Sequence, residues 1–168
     1  ILIAMMMTPP IITLIPTYLM FARVNLVGTY WPWVMWGLCG SSGTIFLFRQ
    51  AFSTLPRELE EAAILDGASH LRIFARIFLP LTKPLLVTSF VLAFTGVWGD
   101  YITPSLLLTM DNTTLAVGLA QGYPNPGNQP QFTLTAAGSV MYILPAIILF
   151  LSVQRVYVQG ITSSGLKG

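Results

Sequence analysis

Residues 61–80 read EAAILDGASHLRIFARIFLP. The stretch fits the pattern EAA-x3-G-x9-I-x-L-P at each fixed position: Glu61, Ala62, Ala63, Gly67, Ile77, Leu79 and Pro80. It belongs to the longest polar interruption of an otherwise oily chain, Arg49 to Lys83. Its local physics predicts two helices around a hinge. Pro56 suits a first helical turn, where a missing N–H costs nothing. Glu58, Glu60 and Glu61 crowd that turn, where negative charge meets the positive end of the helix dipole. Gly67 can take the left-handed conformation that ends a helix. Arg57 to Asp66 is therefore expected as one short helix of about 15 Å, at ~1.5 Å per residue. Ser69 can cap a second helix, with Leu71, Phe74 and Phe78 on one face and an end before Pro80. A short rigid helix can transmit a push; a floppy loop cannot. On these grounds alone, a solvated loop with two amphipathic helices on a membrane surface fits as well.

Outward from this loop, the bilayer is the expected solvent. Of 168 residues 54% are hydrophobic and 8% charged, against about 25% charged in an ordinary soluble domain. Mean hydropathy is +0.73, and a water-soluble fold of this size would lack the polar surface to cover itself. The net charge of +2 excludes nucleic acid as an expected partner. One cysteine, Cys39, excludes an internal disulfide, and with one histidine, His70, a zinc constellation is not expected.

A membrane helix needs about 20 mostly apolar residues, and four stretches qualify: about 1–22, 32–48, 84–110 and 133–153. The first holds Pro9, Pro10 and Pro16, read as kinks whose freed carbonyls are met by neighbouring helices or by Thr8 and Thr13. Tyr30, Trp31 and Trp33 read as an interfacial aromatic belt. Gly37, Gly40 and Gly43 predict close helix packing, with local flexibility as the alternative. The segment Tyr123 to Pro130 holds four prolines and glycines in eight residues and cannot continue a helix. The expected fold is an all-α membrane protein, one transmembrane domain over residues 1–168 with a polar loop at 49–83. The chain opens on ILIAMMM, inside an apolar run and without an initiating Met, so an N-terminal part is expected to be missing.

Lysine and arginine set the orientation. Arg49, Arg57, Arg72, Arg76, Lys83, Arg155 and Lys167 share one side of a four-span chain, and Arg23 stands alone on the other. The 49–83 loop and the C-terminus are therefore expected in the cytoplasm, and the 23–31 and 111–131 loops outside.

The motif at 61–80 resembles the cytoplasmic coupling loop of ABC-importer permeases, specifically the smaller permease of the maltose-importer kind. Leu14 to Trp31 (LIPTYLMFARVNLVGTYW), Thr114 to Gly118 (TLAVG) and the final GITSSGLKG carry the resemblance across nearly the whole chain. It implies a core of six spans, two of them missing at the N-terminus. It implies a bacterial inner-membrane subunit without catalytic residues or a bound cofactor, with ATP and Mg held by a partner ATPase dimer. A second permease and an extracytoplasmic substrate-binding protein complete the implied assembly. Glu61, Ala62, Ala63, Asp66 and Gly67 would form the docking core for the ATPase, with Ile77, Leu79 and Pro80 completing the motif. Gly165, Leu166, Lys167 and Gly168 would be a secondary contact, and the loop 111–131 would touch the binding protein. Many such permeases carry Trp-Asn-Asp-Phe where this chain has Trp98, Gly99, Asp100 and Tyr101, so the asparagine amide is absent.

A carboxylate at the bilayer centre costs about 2.5–3.5 kcal/mol on insertion scales, and such groups often line a pathway. Asp100 is the candidate, with Trp98 and Tyr101 beside it as candidate sugar-stacking rings; snorkelling and interfacial anchoring are the alternatives. His70 is expected to be solvated, Met5 to Met7 lipid-facing or packed, and Cys39 a small apolar residue in a helix contact. A P-loop needs Gly-Lys followed by Ser or Thr; Lys83 and Lys167 are followed by Pro84 and Gly168. Two other classes compete. An ATP-independent channel or secondary transporter would need embedded ionisable groups, and Asp100 is the only candidate, which argues against it. A membrane enzyme would need a catalytic cluster, and none stands out. Within the first class, importers for other solutes use similar loops.

Overall fold

Prolines and glycines set the joints of this chain. The computed structural model describes the backbone of residues 2–164 and the side chains of residues 2–154. All regular structure among the described residues is helical. α1 (Leu2–Met6) stops short of Pro9 and Pro10, and α2 (Pro10–Arg23) restarts with Pro10 in its first turn. The Thr8 hydroxyl donates to the Ala4 carbonyl at 3.3 Å. That carbonyl is free because the Thr8 N–H has turned to Met5. The Thr13 hydroxyl donates to Pro10 O at 2.9 Å.

α3 (Trp31–Cys39) and α4 (Ser42–Ser53) divide the stretch 32–48. The break falls at Gly40, whose φ of +70° side chains rarely adopt. The close packing expected of the three glycines is not seen within the described chain. Gly37 has no neighbour within 4 Å of the position a Cβ would take, Gly40 meets only Ile45 just beyond the break, and Gly43 meets Met6 of α1 at 4.0 Å. Cys39, expected in a helix contact, is exposed.

The polar segment holds α5 (Arg57–Leu65) and then one continuous arm: α6 (His70–Ile73), a π-helical turn (Phe74–Phe78) and α7 (Leu79–Leu81). At Thr82 the chain bends by 75° into α8 (Lys83–Trp98). Thr82 is buried and its hydroxyl donates to Phe78 O at 2.9 Å. α9 (Ile102–Leu107) follows, then a 3-10 turn (Met110–Asn112) and α10 (Leu115–Gln121). α10 lies inside the stretch 111–131 that reads as a loop; the Thr114 side chain caps it by accepting the Val117 N–H. The chain ends in α11 (Phe132–Ser164), of 33 residues with Pro145 inside.

Few side chains have an interior of their own. Among the described residues the buried apolar side chains are Ala63, Ile73, Leu107 and Val117, with the prolines Pro32 and Pro104, whereas Leu38 is 84% exposed. Among the described residues Phe132–Gln154 is the one unbroken helix long and apolar enough to cross a membrane. Only 6% of its most apolar window is buried, so it is not a sequestered core helix. His70–Leu81 with Lys83–Trp98 meets the same measure as a bent pair, and Pro10–Arg23 is apolar but shorter. The four apolar stretches are thus not four unbroken helices. Pro9–Pro10, Gly40–Ser41 and Gly99–Tyr101 each interrupt one: proline lacks a donor and Pro9 is extended, and Gly40 and Ser41 leave the helical region, whereas Gly99 and Tyr101 keep right-handed dihedrals between the end of α8 and the start of α9.

Candidate functional site

The motif at 61–80 folds into two parts. In α5, Glu58 and Glu60 occupy the acidic first turn, and Pro56 stands at the N-cap, one residue earlier than the first-turn position. Glu61 and Ala62 are exposed, and Ala63 is buried. Gly67, at φ +76°, closes the helix. The Ala68 N–H donates to Ala63 O at 2.9 Å and the Gly67 N–H to Ile64 O at 2.9 Å. This pair of bonds is the Schellman arrangement, which satisfies carbonyls the helix end would leave orphaned. Asp66 is the exposed C-cap. α5 is about 13 Å long at ~1.5 Å per residue, and its end leaves Leu65 88% exposed.

Ile77, Leu79 and Pro80 form the second part, which does not share the α5 surface. Ile77 and Leu79 are half-buried in the arm and Pro80 is exposed. The helix does not end before Pro80 but runs through it to Leu81. A proline ring crowds the carbonyl four residues earlier. The Leu79 N–H reaches back five residues to Phe74 O, and this widened turn makes room. Ser69 stands at the N-cap of α6 in extended backbone, but its side chain makes no capping bond. Phe74 and Phe78 do meet a common partner, Phe52 of α4. Leu71 does not share their setting at 77% exposed, and the buried residue of α6 is Ile73. His70 is exposed. Gly165, Leu166, Lys167 and Gly168 lie outside the described residues.

The second feature is a cavity of about 700 Å³ bordered by α2, α3, the start of α4, α8 and the start of α9. Asp100 lines it, whereas Trp98 and Tyr101 do not. Trp98 turns the other way and pins α8 to α11. Its indole Nε1–H donates to Tyr142 O at 3.1 Å, and the Tyr142 hydroxyl donates to Trp98 O at 3.2 Å. Its ring stacks on Phe94 at 5.5 Å and on Tyr142 at 5.7 Å. Tyr101 is exposed. The rings that do border the cavity are Trp33 and Trp36, crossed edge-on at 5.7 Å. In the sequence Trp33 reads as part of an interfacial belt and Trp36 does not stand out. A signal was nevertheless present: Trp33, Trp36 and Gly37 stand at i, i+3 and i+4, one face of a helix.

The description "Binding-protein-dependent transport system inner membrane component" belongs to a family model that matches residues 1–162. A maltodextrin transport system permease protein of Bacillus subtilis (strain 168) is 38% identical over 164 residues, covering 96% of this chain and 59% of that protein. An sn-glycerol-3-phosphate transport system permease protein of Salmonella typhi is 35% identical over 160 residues, covering 95% of this chain and 57% of that protein. A crystal structure of a bacterial ABC transporter involved in the import of the acidic polysaccharide alginate superposes with a TM-score of 0.69 at 27% identity, over 84% of this chain and 55% of that one. The chain spans a little over half the length of the curated relatives it matches. On the match over 1–162 and on relatives above 30% identity, the chain belongs to the family of inner-membrane permease components of binding-protein-dependent transport systems.

Proposed function

We propose that this chain forms the translocating core of a permease subunit in an ATP-driven importer of carbohydrate, with ATP hydrolysed by a separate subunit. The observation that carries the reading is α5 closed by Gly67: a short, exposed helix with an acidic first turn and a rigid stop, in a chain matched by the permease family over 1–162. Glu61, Ala62, Asp66 and Gly67 present the docking surface to the ATPase, and buried Ala63 seats α5 on the rest of the loop. The loop 49–83 and the C-terminus lie in the cytoplasm, the apolar stretches about 1–22, 32–48, 84–110 and 133–153 lie in the bilayer, and the loop 111–131 meets the substrate-binding protein. A second permease completes the pathway, to which the cavity at Asp100 contributes. ATP bears on this chain only through the ATPase: it must bind the closed ATPase dimer more tightly than the open one, or the spans have no reason to switch. Importers of another solute class are the second reading, favoured by the relative that transports sn-glycerol-3-phosphate.

The experiment is purification of the full-length permease from native membranes with its partners, identified by mass spectrometry. A P-loop ATPase and a second EAA-bearing permease are the expected companions. Recovery of the chain alone, or with unrelated proteins, would overturn the reading.

A further inference from the structure

Membership of the family leaves the charge of the transported solute open. We propose that the cavity at Asp100 accepts an uncharged, hydroxyl-rich sugar and rejects anionic ones, with Asp100 as the discriminating group. The proposal rests on the permease reading and names the substrate class of its pathway.

Charge disfavours an anion. Asp100 is the one ionisable side chain bordering the cavity among the described residues; no lysine, arginine or histidine joins it there. Recognition of a phosphate or a carboxylate calls for cationic partners, above all the arginine fork, and the cavity has none. An anion about 6 Å from the Asp100 carboxylate, at an effective dielectric of about 20, would be disfavoured roughly a hundredfold.

Hydrogen-bonding capacity favours a sugar. Asp100 is half-buried, and its Oδ1 accepts the Thr103 N–H at 3.1 Å in the first turn of α9. That bond orients the carboxylate and leaves Oδ2 with no donor among the described residues. A free carboxylate oxygen beside a cavity suits a sugar hydroxyl, which donates a short charge-assisted bond to it. Ser41 and Thr44 border the same space, and their hydroxyls, like the Trp33 and Trp36 indole N–H groups, have no hydrogen-bond partner among the described residues. Those groups are free to donate to an acceptor in the ligand. Sugar hydroxyls donate and accept; a cationic solute would satisfy the carboxylate and leave the N–H groups unpaired.

Shape agrees with both. Trp33 meets Trp36 edge-on, with planes at 83°. The pair covers one indole face, Phe21 packs on Trp36 and Tyr30 on Trp33, yet both indoles still border the cavity and offer it apolar surface for the C–H side of a sugar ring. The volume of about 700 Å³ lies within the ordinary range of about 300–1,000 Å³ for small-molecule sites.

The full-length permease, purified with its ATPase and partner permease in nanodiscs without binding protein, is titrated with three trimers: neutral maltotriose, anionic trigalacturonate and cationic triglucosamine. Tryptophan fluorescence reports binding, and the W33F/W36F variant assigns the signal. The expected result is a change with maltotriose and at least tenfold weaker binding of trigalacturonate. Asp100→Asn keeps the Oδ1 acceptor for Thr103 and so keeps the fold. It is expected to bind maltotriose about tenfold more weakly and to bring trigalacturonate within a few-fold of it. Equal binding of the anionic and neutral trimers by the unaltered protein, tightest binding of triglucosamine, no binding of any trimer, or an unchanged preference in Asp100→Asn would each overturn the proposal. Failure of the permease reading shows separately, as absence of the ATPase from the purified complex, and leaves the charge preference of the cavity measurable on its own.

Discussion

The Phe52 ring on α4 stacks on Phe78 at 5.8 Å, with planes at 27°, and meets Phe74 edge-on at 6.1 Å. These two partners are the first and last residues of the π turn. One aromatic side chain therefore joins α4 to the turn that carries Ile77 and leads into Leu79 and Pro80 of the motif. Aromatic pairs contribute about 0.5–1.5 kcal/mol each beyond area burial. We predict that F52A loses most ATP-driven uptake, by about tenfold, in a complex that still assembles with its ATPase. F52Y, which keeps the ring, is expected to retain uptake. Uptake and ATP hydrolysis measured side by side in proteoliposomes decide it: a parallel fall in both, with loss of assembled complex, would mean that Phe52 serves stability alone.

Gly67 poses a purely conformational question. Nothing lies within 4 Å of the position a Cβ would take, yet φ is +76°. A side chain there meets no clash, only the left-handed penalty of about 1–2 kcal/mol. The order of tolerance should follow backbone preference and not size: Asn near the unaltered protein, Ala weaker, Val weakest. We expect G67V to insert and express normally but to uncouple uptake from ATP hydrolysis. Normal uptake by G67V at unaltered expression would remove Gly67 from the coupling role.

The ring of Tyr123 lies between α10 and α11. A Cβ on Gly118 would stand 2.5 Å from its Cε1, and one on Gly138 3.2 Å from its Cε2. The ring is held on both sides, so it cannot swing away cheaply. G118A is predicted to destabilise the fold by about 1–3 kcal/mol, the range for overpacking. The double variant G118A/Y123A should recover part of the loss, because the obstructing ring is gone. Thermal unfolding in detergent reads the difference, and additive losses in the double variant would contradict the wedge.

Asn112 clamps two connections. Its Oδ1 accepts the Thr109 N–H at 3.0 Å and the Thr109 hydroxyl at 2.9 Å, its Nδ2 donates to Gly28 O, and its carbonyl accepts the Tyr30 hydroxyl at 2.6 Å. The Gly28 N–H in turn donates to Leu107 O at 2.7 Å. N112A should cost about 1–3 kcal/mol through unpaired polar groups. N112D keeps the acceptor toward Thr109 but sets an oxygen against the Gly28 carbonyl, so it should not rescue. Hydrogen exchange at 24–30 and 107–113 should rise together in both variants; a rise confined to one segment would show that the clamp does not link them.

Much of the polar loop at 49–83 was legible because its determinants are local. The start of α5 after Pro56, its acidic first turn and its stop at Gly67 follow from backbone preference and the helix dipole, which act within a turn or two. Asp100 was legible for a different reason, as a lone carboxylate in an apolar stretch. Its neighbours were not. Trp98 stands two residues away in the chain, yet hydrogen bonds to Tyr142, 44 residues on, turn it toward α11. The passage of the helix through Pro80 was missed because proline is a strong stop only in a regular α-helix, and the π turn relaxes that rule.

The sequence by itself determined the solvent and the motif: apolar stretches, a polar loop with fixed spacing, and the residues that begin and end α5. These are properties of composition and of contacts within a few residues. Only the tertiary structure decided which side chains face a common space. Trp33 and Asp100 are far apart in the chain and border one cavity. α2, α3 and α8 surround that space at an orientation that no local preference encodes. The joints at Pro9–Pro10, Gly40 and Thr82 set where the helices end, and packing between distant helices set which faces meet.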